Sequence, residues 1–223
     1  MSVTTIALRR AALGLACLAT LVACSNAPDR RVTVLSIGKS IFSGKKAAKM
    51  PDAAQVSNDA AKALAATDAP LILVTVPNRR AVTVMQELEQ NRGYATYGTA
   101  DRRSITMRGG LMTATRGLGN DIMSSRTDAV QALISARQNG IAAREMRYLD
   151  GEDLTQVRQL TCTIRITGKA ARDDIPLTDV TEACEGDGDA FENTYKVSDR
   201  GAIVQSRQWH SPMNRYLEIQ TLR

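Results

Sequence analysis

Hydrophobic residues in the second half of the chain follow a two-residue period that is typical of half-buried β-strands. In the segment 154–167, the side chains of Cys162, Ile164 and Ile166 fall on one face, and Gly168 is expected to end the strand. Similar short segments, separated by turns that are rich in glycine and aspartate, occur at 144–149, 177–184, 191–197, 202–209 and 216–222. This spacing predicts an antiparallel meander.

The first half of the chain contains further predicted strands. Residues 71–76 form an uninterrupted, mostly apolar run between Pro70 and Pro77, which predicts a buried strand. Shorter strands are predicted at 81–88, 94–99, 104–107 and 111–115, and the last two form a hairpin around Gly109 and Gly110. The segment 116–121 is predicted to be a tight bend, because it lacks the third glycine of a dinucleotide-binding loop.

Two segments carry helical patterns instead. Pro51 favours a helix start, and the alanine-rich stretch behind it predicts a helix from about Asp52 to a point before Pro70. Residues 127–138 show apolar side chains at helical spacing, with Thr127 as the candidate N-cap. The predicted fold is mainly β: an antiparallel β-sandwich or a barrel-like meander with one or two short helices.

The N-terminus has the pattern of a secretory signal. Arg9 and Arg10 precede an uncharged, largely apolar run from 11 to 23, which is too short to cross a bilayer as a helix. Ala23 offers the small side chain expected before a cleavage site, and Cys24 follows it directly. Residues 1–23 are therefore predicted to be a lipoprotein signal peptide.

Cys24 is predicted to become the mature N-terminus and to carry a thioether-linked diacylglycerol with acyl chains such as palmitate. Each buried methylene contributes about 0.8 kcal/mol, so several chains hold a protein on a membrane. The residues before Cys17 suit the signal peptidase less well than those before Cys24. The alternatives are an ordinary signal peptide that contains a cysteine and an intracellular chain with an apolar N-terminus. Ser25 is typical of lipoproteins forwarded to the outer membrane, which predicts an anchor in its inner leaflet, facing the periplasm.

Length and charge narrow the function classes. The 223 residues leave about 200 after the leader, enough for a tether at 24–31 and a single domain at 32–223. Loss of Arg9 and Arg10 lowers the formal net charge from +6 to +4. Basic residues are not clustered with aromatic ones, so nucleic acid is not an expected partner.

The predicted signal peptide assigns different roles to the four cysteines. Cys17 leaves with it and Cys24 carries lipid, so Cys162 and Cys184 remain in the domain. An oxidising periplasm permits a disulfide between them, worth roughly 3 kcal/mol in the chain-entropy model. Two unpaired buried thiols are the alternative. No metal site is predicted, because His210 is the single histidine and no further cysteine is available.

Several motifs in the C-terminal half together carry a family resemblance. They are Arg116-Gly117-Leu118-Gly119-Asn120-Asp121, Tyr148-Leu149-Asp150-Gly151-Glu152-Asp153, Thr181-Glu182-Ala183-Cys184, Phe191-Glu192-Asn193-Thr194-Tyr195, and Ser206-Arg207-Gln208-Trp209 followed by Pro212 and Tyr216-Leu217. In this order they resemble the YjbF/GfcB family of lipoproteins, which belong to group 4 capsule and exopolysaccharide gene clusters. The resemblance covers about 103–223 and the lipidation motif, whereas 32–102 is similar only in outline.

The resemblance implies a periplasm-facing outer-membrane lipoprotein, largely antiparallel β, that takes part in secreting or assembling an extracellular polysaccharide. It implies no catalytic residues and no cofactor besides the lipid on Cys24. Its expected partners are the inner leaflet of the outer membrane and other proteins of the secretion system. His210 stands where relatives are expected to carry an aliphatic residue, which argues against a catalytic role.

The alternative function is a periplasmic protein that binds or modifies polysaccharide. Trp209 is the single tryptophan, and an aromatic face next to hydrogen-bonding side chains such as Arg207 and Gln208 suits a sugar or a partner protein. In a strand, however, Arg207 and Trp209 share one face and Gln208 points to the other. A tryptophan that anchors the last hairpin is the competing interpretation, and the chain is expected not to be an enzyme.

Overall fold

The computed structural model describes residues 50–172 and 175–223. The predicted signal peptide 1–23, the tether 24–31 and the lipidation site Cys24 lie outside these residues. Neither helix in the described part of the chain has both the length and the apolar character needed to cross a bilayer.

The described residues form one twelve-stranded antiparallel sheet, so the predicted mainly β fold is confirmed. The strands are β1 (Leu71–Val76), β2 (Ala81–Asn91), β3 (Tyr94–Gly98), β4 (Ser104–Arg108), β5 (Leu111–Arg116), β6 (Ile122–Arg126), β7 (Gly140–Leu149), β8 (Thr155–Arg172), β9 (Ile175–Gly186), β10 (Asp189–Ser198), β11 (Ile203–Ser211) and β12 (Arg215–Thr221). Most neighbours in the chain are neighbours in the sheet, as expected for a meander.

The sheet curls into a nearly closed, barrel-like structure. Its order is β5-β4-β3-β2-β1-β12-β11-β10-β9-β8-β7-β6, and the two end strands β5 and β6 come together at a seam. At this seam the backbone N–H of Ile122 donates to Thr115 Oγ1 at 3.0 Å, and Arg116 Nη1 donates to the Ile122 carbonyl at 3.1 Å. Side-chain hydrogen bonds therefore join the two end strands, which are not neighbours in the hydrogen-bonded strand order of the described sheet.

Alternation along the strands separates the interior from the outer face. On β1, Ile72, Val74 and Val76 belong to the main core, whereas Leu71 and Leu73 pack on the outer face. Helix α1 (Ala53–Ala66) covers that outer patch. A helix was predicted here, and Asp52 caps it by accepting a hydrogen bond from Gln55 N at 2.7 Å.

Helix α2 (Asp128–Ala136) connects β6 to β7 and packs Val130 and Ile134 into the core. An ion pair between Asp128 and Arg108 joins its first turn to the end of β4. The predicted helix and its N-cap position at Thr127 are confirmed, although the Thr127 side chain makes no capping hydrogen bond.

One expectation about local structure was wrong, and one strand was not expected. Gly168 does not end its strand: β8 continues to Arg172, and the register against β9 shifts between Ile166 and Gly168 instead. A bulge absorbs the residue that was expected to break the strand. Strand β6 was not predicted, because Ser124 and Ser125 interrupt its apolar pattern.

The connecting segments define two ends of the sheet, which differ in how they are closed. The sealed end is formed by 77–80, 99–103, 117–121, 150–154, 187–188 and 212–214. Among the described residues, the open end is formed by the turns 92–93, 109–110 and 199–202 together with α2.

Candidate functional site

A buried hydrogen-bond network around His210 closes the sealed end. His210 Nε2 lies 3.0 Å from Thr115 Oγ1, and that hydroxyl donates to Asp121 Oδ1 at 2.8 Å. With its one proton given to Asp121, the hydroxyl must accept from the ring, so Nε2 carries the histidine proton. Nδ1 then accepts from Asn214 Nδ2 at 3.2 Å and from Ser211 Oγ at 2.8 Å.

His210 is neutral at physiological pH in this setting. Burial lowers the pKa of its imidazole from the ordinary 6.5 to about 4, against the raising effect of Asp121, and Arg79 lowers it further. The adjacent Ser211 hydroxyl has the geometry of a nucleophile beside a base. Both residues are 0% exposed, however, so no substrate reaches this hydroxyl and the network is structural.

A charged cluster lies in the middle of the interior, and the sequence analysis missed it. Arg144 Nη1 donates to both carboxylate oxygens of Glu182, at 3.0 and 2.9 Å. Tyr195 Oη and Asn193 Nδ2 donate to Glu182 Oε2 at 2.6 and 2.8 Å. Both charged side chains are 0% exposed. The cluster pairs a fully buried carboxylate with three donor groups.

The protonation of this cluster follows from burial and from Glu182. Burial, the largest single effect, lowers the pKa of Arg144, but Glu182 and Tyr195 together outweigh burial and raise that pKa above its ordinary value. Burial and Glu182 both raise the pKa of Tyr195, so its hydroxyl stays protonated and donates. Nε and Nη2 of Arg144 have no hydrogen-bond partner, so ionic attraction rather than full hydrogen bonding holds the guanidinium.

The structure contains a disulfide between Cys162 and Cys184, which are register partners on β8 and β9. Glu182 Oε1 lies 3.3 Å from Cys184 Sγ. These three residues place potential metal ligands within 4.8 Å of one another. Sulfurs joined in a disulfide are not thiolates, so this cluster does not offer a metal site.

Of the three predicted contact residues, Arg207 and Trp209 lie on the outer face and Gln208 does not. Gln208 is 0% exposed and points across the interior to β5. Its Oε1 accepts from Met112 N at 2.9 Å, and its Nε2 donates to the Gly110 carbonyl at 2.9 Å. Gln208 therefore ties β11 to the opposite wall and makes no contact with an external partner.

Trp209 sits inside an aromatic cluster. Its ring stacks on Phe191 with centroids 5.7 Å apart and is T-shaped against the ring of Tyr216, with centroids 5.3 Å apart. The guanidinium of Arg207 lies 3.3 Å above the Tyr216 ring, in cation–π geometry. These contacts pack the Trp209 ring against its neighbours on β10 and β12, as is typical of a tryptophan that anchors the last hairpin.

A shallow polar groove of about 410 Å³ crosses the outer face beside Arg207. A cross-strand row of Thr181, Thr194, Arg207 and Glu218 runs along it. Lys196 Nζ and Asp179 Oδ1 form an ion pair at 2.8 Å in the same groove. Its charges are paired across neighbouring strands, as on many solvated sheet faces.

The open end carries a larger cavity, of about 580 Å³. Inward-facing apolar residues, Ile72, Met107 and Ile219 among them, form its floor. Tyr97 and Glu87, register partners on β3 and β2, stand on its wall. Burial and the Glu87 carboxylate both raise the pKa of the Tyr97 hydroxyl, which therefore stays protonated. No short sequence motif predicted this cavity, because the cavity is formed by the curvature of the whole sheet.

Comparisons with known proteins found one matching family model and a solved structure of similar fold. A family model described as group 4 capsule polysaccharide lipoprotein gfcB, YjbF matches residues 39–222. The crystal structure of the hypothetical lipoprotein YmcC from Escherichia coli K12 superposes with a TM-score of 0.64 and 14% identity, covering 80% of this chain and 98% of that one. At this identity the similarity concerns the fold alone. No curated protein matches the chain.

Proposed function

This chain belongs to the YjbF family of group 4 capsule polysaccharide lipoproteins, and on that basis we propose that it is a lipid-anchored accessory protein of capsule or exopolysaccharide secretion. It acts at the periplasmic face of the outer membrane and holds or aligns other proteins of the secretion system. The observation that carries the proposal is the family match over 39–222, which begins shortly after the predicted lipidation site Cys24.

The distribution of reactive groups supports a role without catalysis. His210 and Ser211, which have acid–base and nucleophilic potential, are fully buried at the sealed end. Arg144 and Glu182 are equally inaccessible and are bonded to each other. These groups stabilise the fold and do not face a substrate.

Direct binding of polysaccharide is a second candidate function, and the open-end cavity favours it. A retaining or inverting glycosidase generally needs two carboxylates facing each other across the bound sugar. Glu87 is the one acidic residue among those lining this cavity, all of which lie in the described part of the chain. The cavity therefore suits binding better than hydrolysis.

The membrane anchor is tested by replacing Cys24. We predict that Cys24→Ser abolishes incorporation of labelled palmitate and releases the chain from the membrane fraction, because the acyl chains supply the anchoring energy. Cys17→Ser is the matched control and is expected to leave both readouts unchanged. If labelling survives Cys24→Ser and is lost with Cys17→Ser, the lipid is attached to Cys17 and the proposed anchor at Cys24 is wrong.

The role in secretion is tested in the producing bacterium. A strain that lacks the gene is expected to release less polysaccharide, and the wild-type chain, but not Cys24→Ser, is expected to restore release. Undiminished release from the deletion strain would contradict the proposal. Crosslinking in intact envelopes then identifies the secretion protein that the anchored chain contacts.

A further inference from the structure

The open-end cavity exists because α2 covers only part of that end. The turns at Gly109-Gly110 and Gly201 meet α2 on one side, whereas β2, β3 and β12 stand apart from it on the other. The space left between them measures about 580 Å³. This volume lies within the range of about 300–1,000 Å³ that is usual for small-molecule sites, and barrel mouths are a frequent location for them.

Glycines with positive φ shape the rim. A Cβ at Gly109 would clash with the side-chain amide of Gln131, and one at Gly110 would lie 2.6 Å from Ile203 Cβ. A Cβ at Gly201 would lie 2.7 Å from the backbone carbonyl of Ser135. The two turns therefore pack directly on α2 and β11, which holds one wall of the cavity in place.

The lining combines an apolar floor with uncharged hydrogen-bonding groups. Tyr97 supplies an aromatic ring, and three glutamines, Gln90, Gln131 and Gln205, supply amides that both donate and accept. Ser206, at the edge of the floor, adds a hydroxyl.

Charge is sparse in the lining and balanced. Glu87 is its acidic residue and Arg200 its basic one.

This chemistry excludes several ligand classes. No histidine or cysteine is among the lining residues, all of them in the described ranges, so a transition metal lacks its preferred ligands. A lining with one guanidinium and one carboxylate does not favour a polyanion. An acyl chain would leave the amides facing hydrocarbon without partners, which is unfavourable. A ligand with many hydroxyls and an apolar ring face matches both parts of the lining.

We propose that the open-end cavity binds the end of an uncharged oligosaccharide. The floor is closed, since Met85 and Ile105 fill the interior and are almost fully buried, so a chain enters by its terminus and does not thread through. This inference rests on the proposed function, which brings the protein to a polysaccharide. It assigns the glycan contact to the open end and not to Arg207 and Trp209 on the outer face.

Calorimetric titration of the full-length lipidated protein in detergent micelles tests the inference. The probe is a set of size-fractionated oligosaccharides made by mild acid hydrolysis of the bacterium's own extracellular polysaccharide. Saturable binding of a short fraction is expected, and added salt should change Kd by less than about twofold, because screening acts on charges. At equal mass concentration the intact polymer should bind more weakly, since it has fewer ends.

Two variants locate the site. Ala95 faces the cavity from β3, so the larger side chain of Ala95→Phe fills the mouth of the cavity. This variant should weaken binding at least about tenfold, because the ligand loses contacts with the cavity wall. Ala183→Phe makes the same change on the exposed face of β9 and should leave Kd unchanged. Gln131→Met keeps the side-chain length but removes the amide, and should weaken binding about fivefold.

Defined outcomes overturn the inference. It is wrong if no fraction binds saturably, or if Arg207→Ala reduces binding while Ala95→Phe and Gln131→Met do not. If Ala95→Phe does not fold, Gln131→Met decides alone. If the binding experiments fail but the deletion strain still releases less polysaccharide, only the binding site is wrong. If oligosaccharide binds but the deletion strain secretes normally, the proposed function is wrong and the binding site stands.

Discussion

Two regions of the molecule contain the same kinds of polar side chain. In the interior and at the sealed end these side chains are buried and hydrogen-bonded, whereas at the open end they are exposed. At the sealed end, His210 and Asn214 are fully buried and hydrogen-bonded to neighbouring segments. At the open end, Gln90 and Gln205 are exposed around a cavity. A buried polar group is costly unless it is paired, whereas an exposed one is free to meet a ligand.

This difference separates residues that hold the fold from residues available to a partner. Polar side chains in the interior cross-link strands that are far apart in the sheet, as Gln208 does between β11 and β5. Substitutions there should reduce stability, and substitutions at the open end should not.

Arg144→Met should be the most destabilising single change. It leaves the Glu182 carboxylate buried without its cation, which typically costs about 3–5 kcal/mol. The free energy of unfolding in urea, followed by circular dichroism, measures the loss. Arg147→Met on the same strand is the control, because that arginine is 43% exposed and pairs with Glu145 at the surface. It should cost less than about 1 kcal/mol.

A double variant sharpens this test. Arg144→Met combined with Glu182→Met removes both charges and should recover much of the stability lost in the single variant. Equal unfolding free energies for Arg144→Met and Arg147→Met would contradict the interpretation of the cluster as a paired buried ion.

Loss of the disulfide is expected to have the next largest effect. Cys162 and Cys184 are 22 residues apart, and opening a loop of this length costs roughly 3 kcal/mol in the chain-entropy model. The double variant Cys162→Ala/Cys184→Ala should show this loss in urea, and reductant should destabilise the wild type but not the variant. Two alkylatable thiols in the native oxidised protein would show that the bond does not form.

His210 should make the sealed end sensitive to acid. Its folded pKa of about 4 lies below the ordinary 6.5, so the folded state resists protonation. Neutral His210 therefore contributes its full stabilisation above pH 6.5, and this stabilisation declines as the pH falls from 6.5 to 4. The total loss in the free energy of unfolding is about 3 kcal/mol. Asp121 and Arg79 are the charged groups that act on it.

The measurement compares unfolding free energies of the wild type and His210→Gln at pH 7 and at pH 4.5. The glutamine variant is expected to be less stable at pH 7 but to lose less stability on acidification, because it lacks this ionisation. Parallel pH profiles for the two proteins would mean that His210 does not titrate as its burial requires.

The sequence predicted the strands better than the interior. Strands β8 to β12 have regular alternation, and the disulfide was expected from the cysteine count of a chain predicted to enter an oxidising compartment. Alternation also places Glu182 on the same face as Val180 and Cys184, a signal for a buried carboxylate that the usual exposure of charged residues obscured. Its partner Arg144 comes from β7, and such long-range pairing depends on the curl of the sheet. The cavity was unpredictable for the same reason.

The smallest predicted difference compares two glutamines on β11. Gln208→Ala leaves the buried Met112 N–H and the Gly110 carbonyl without their partners, which should cost about 2 kcal/mol. Gln205→Ala removes an exposed side chain at the cavity rim, and the change in unfolding free energy should stay within about 0.5 kcal/mol. Both variants are made by the same change three residues apart, so strand propensity is largely matched. Equal losses in urea would mean that the open end contributes to stability as much as the interior does, and its side chains would then no longer stand out as free to serve a ligand.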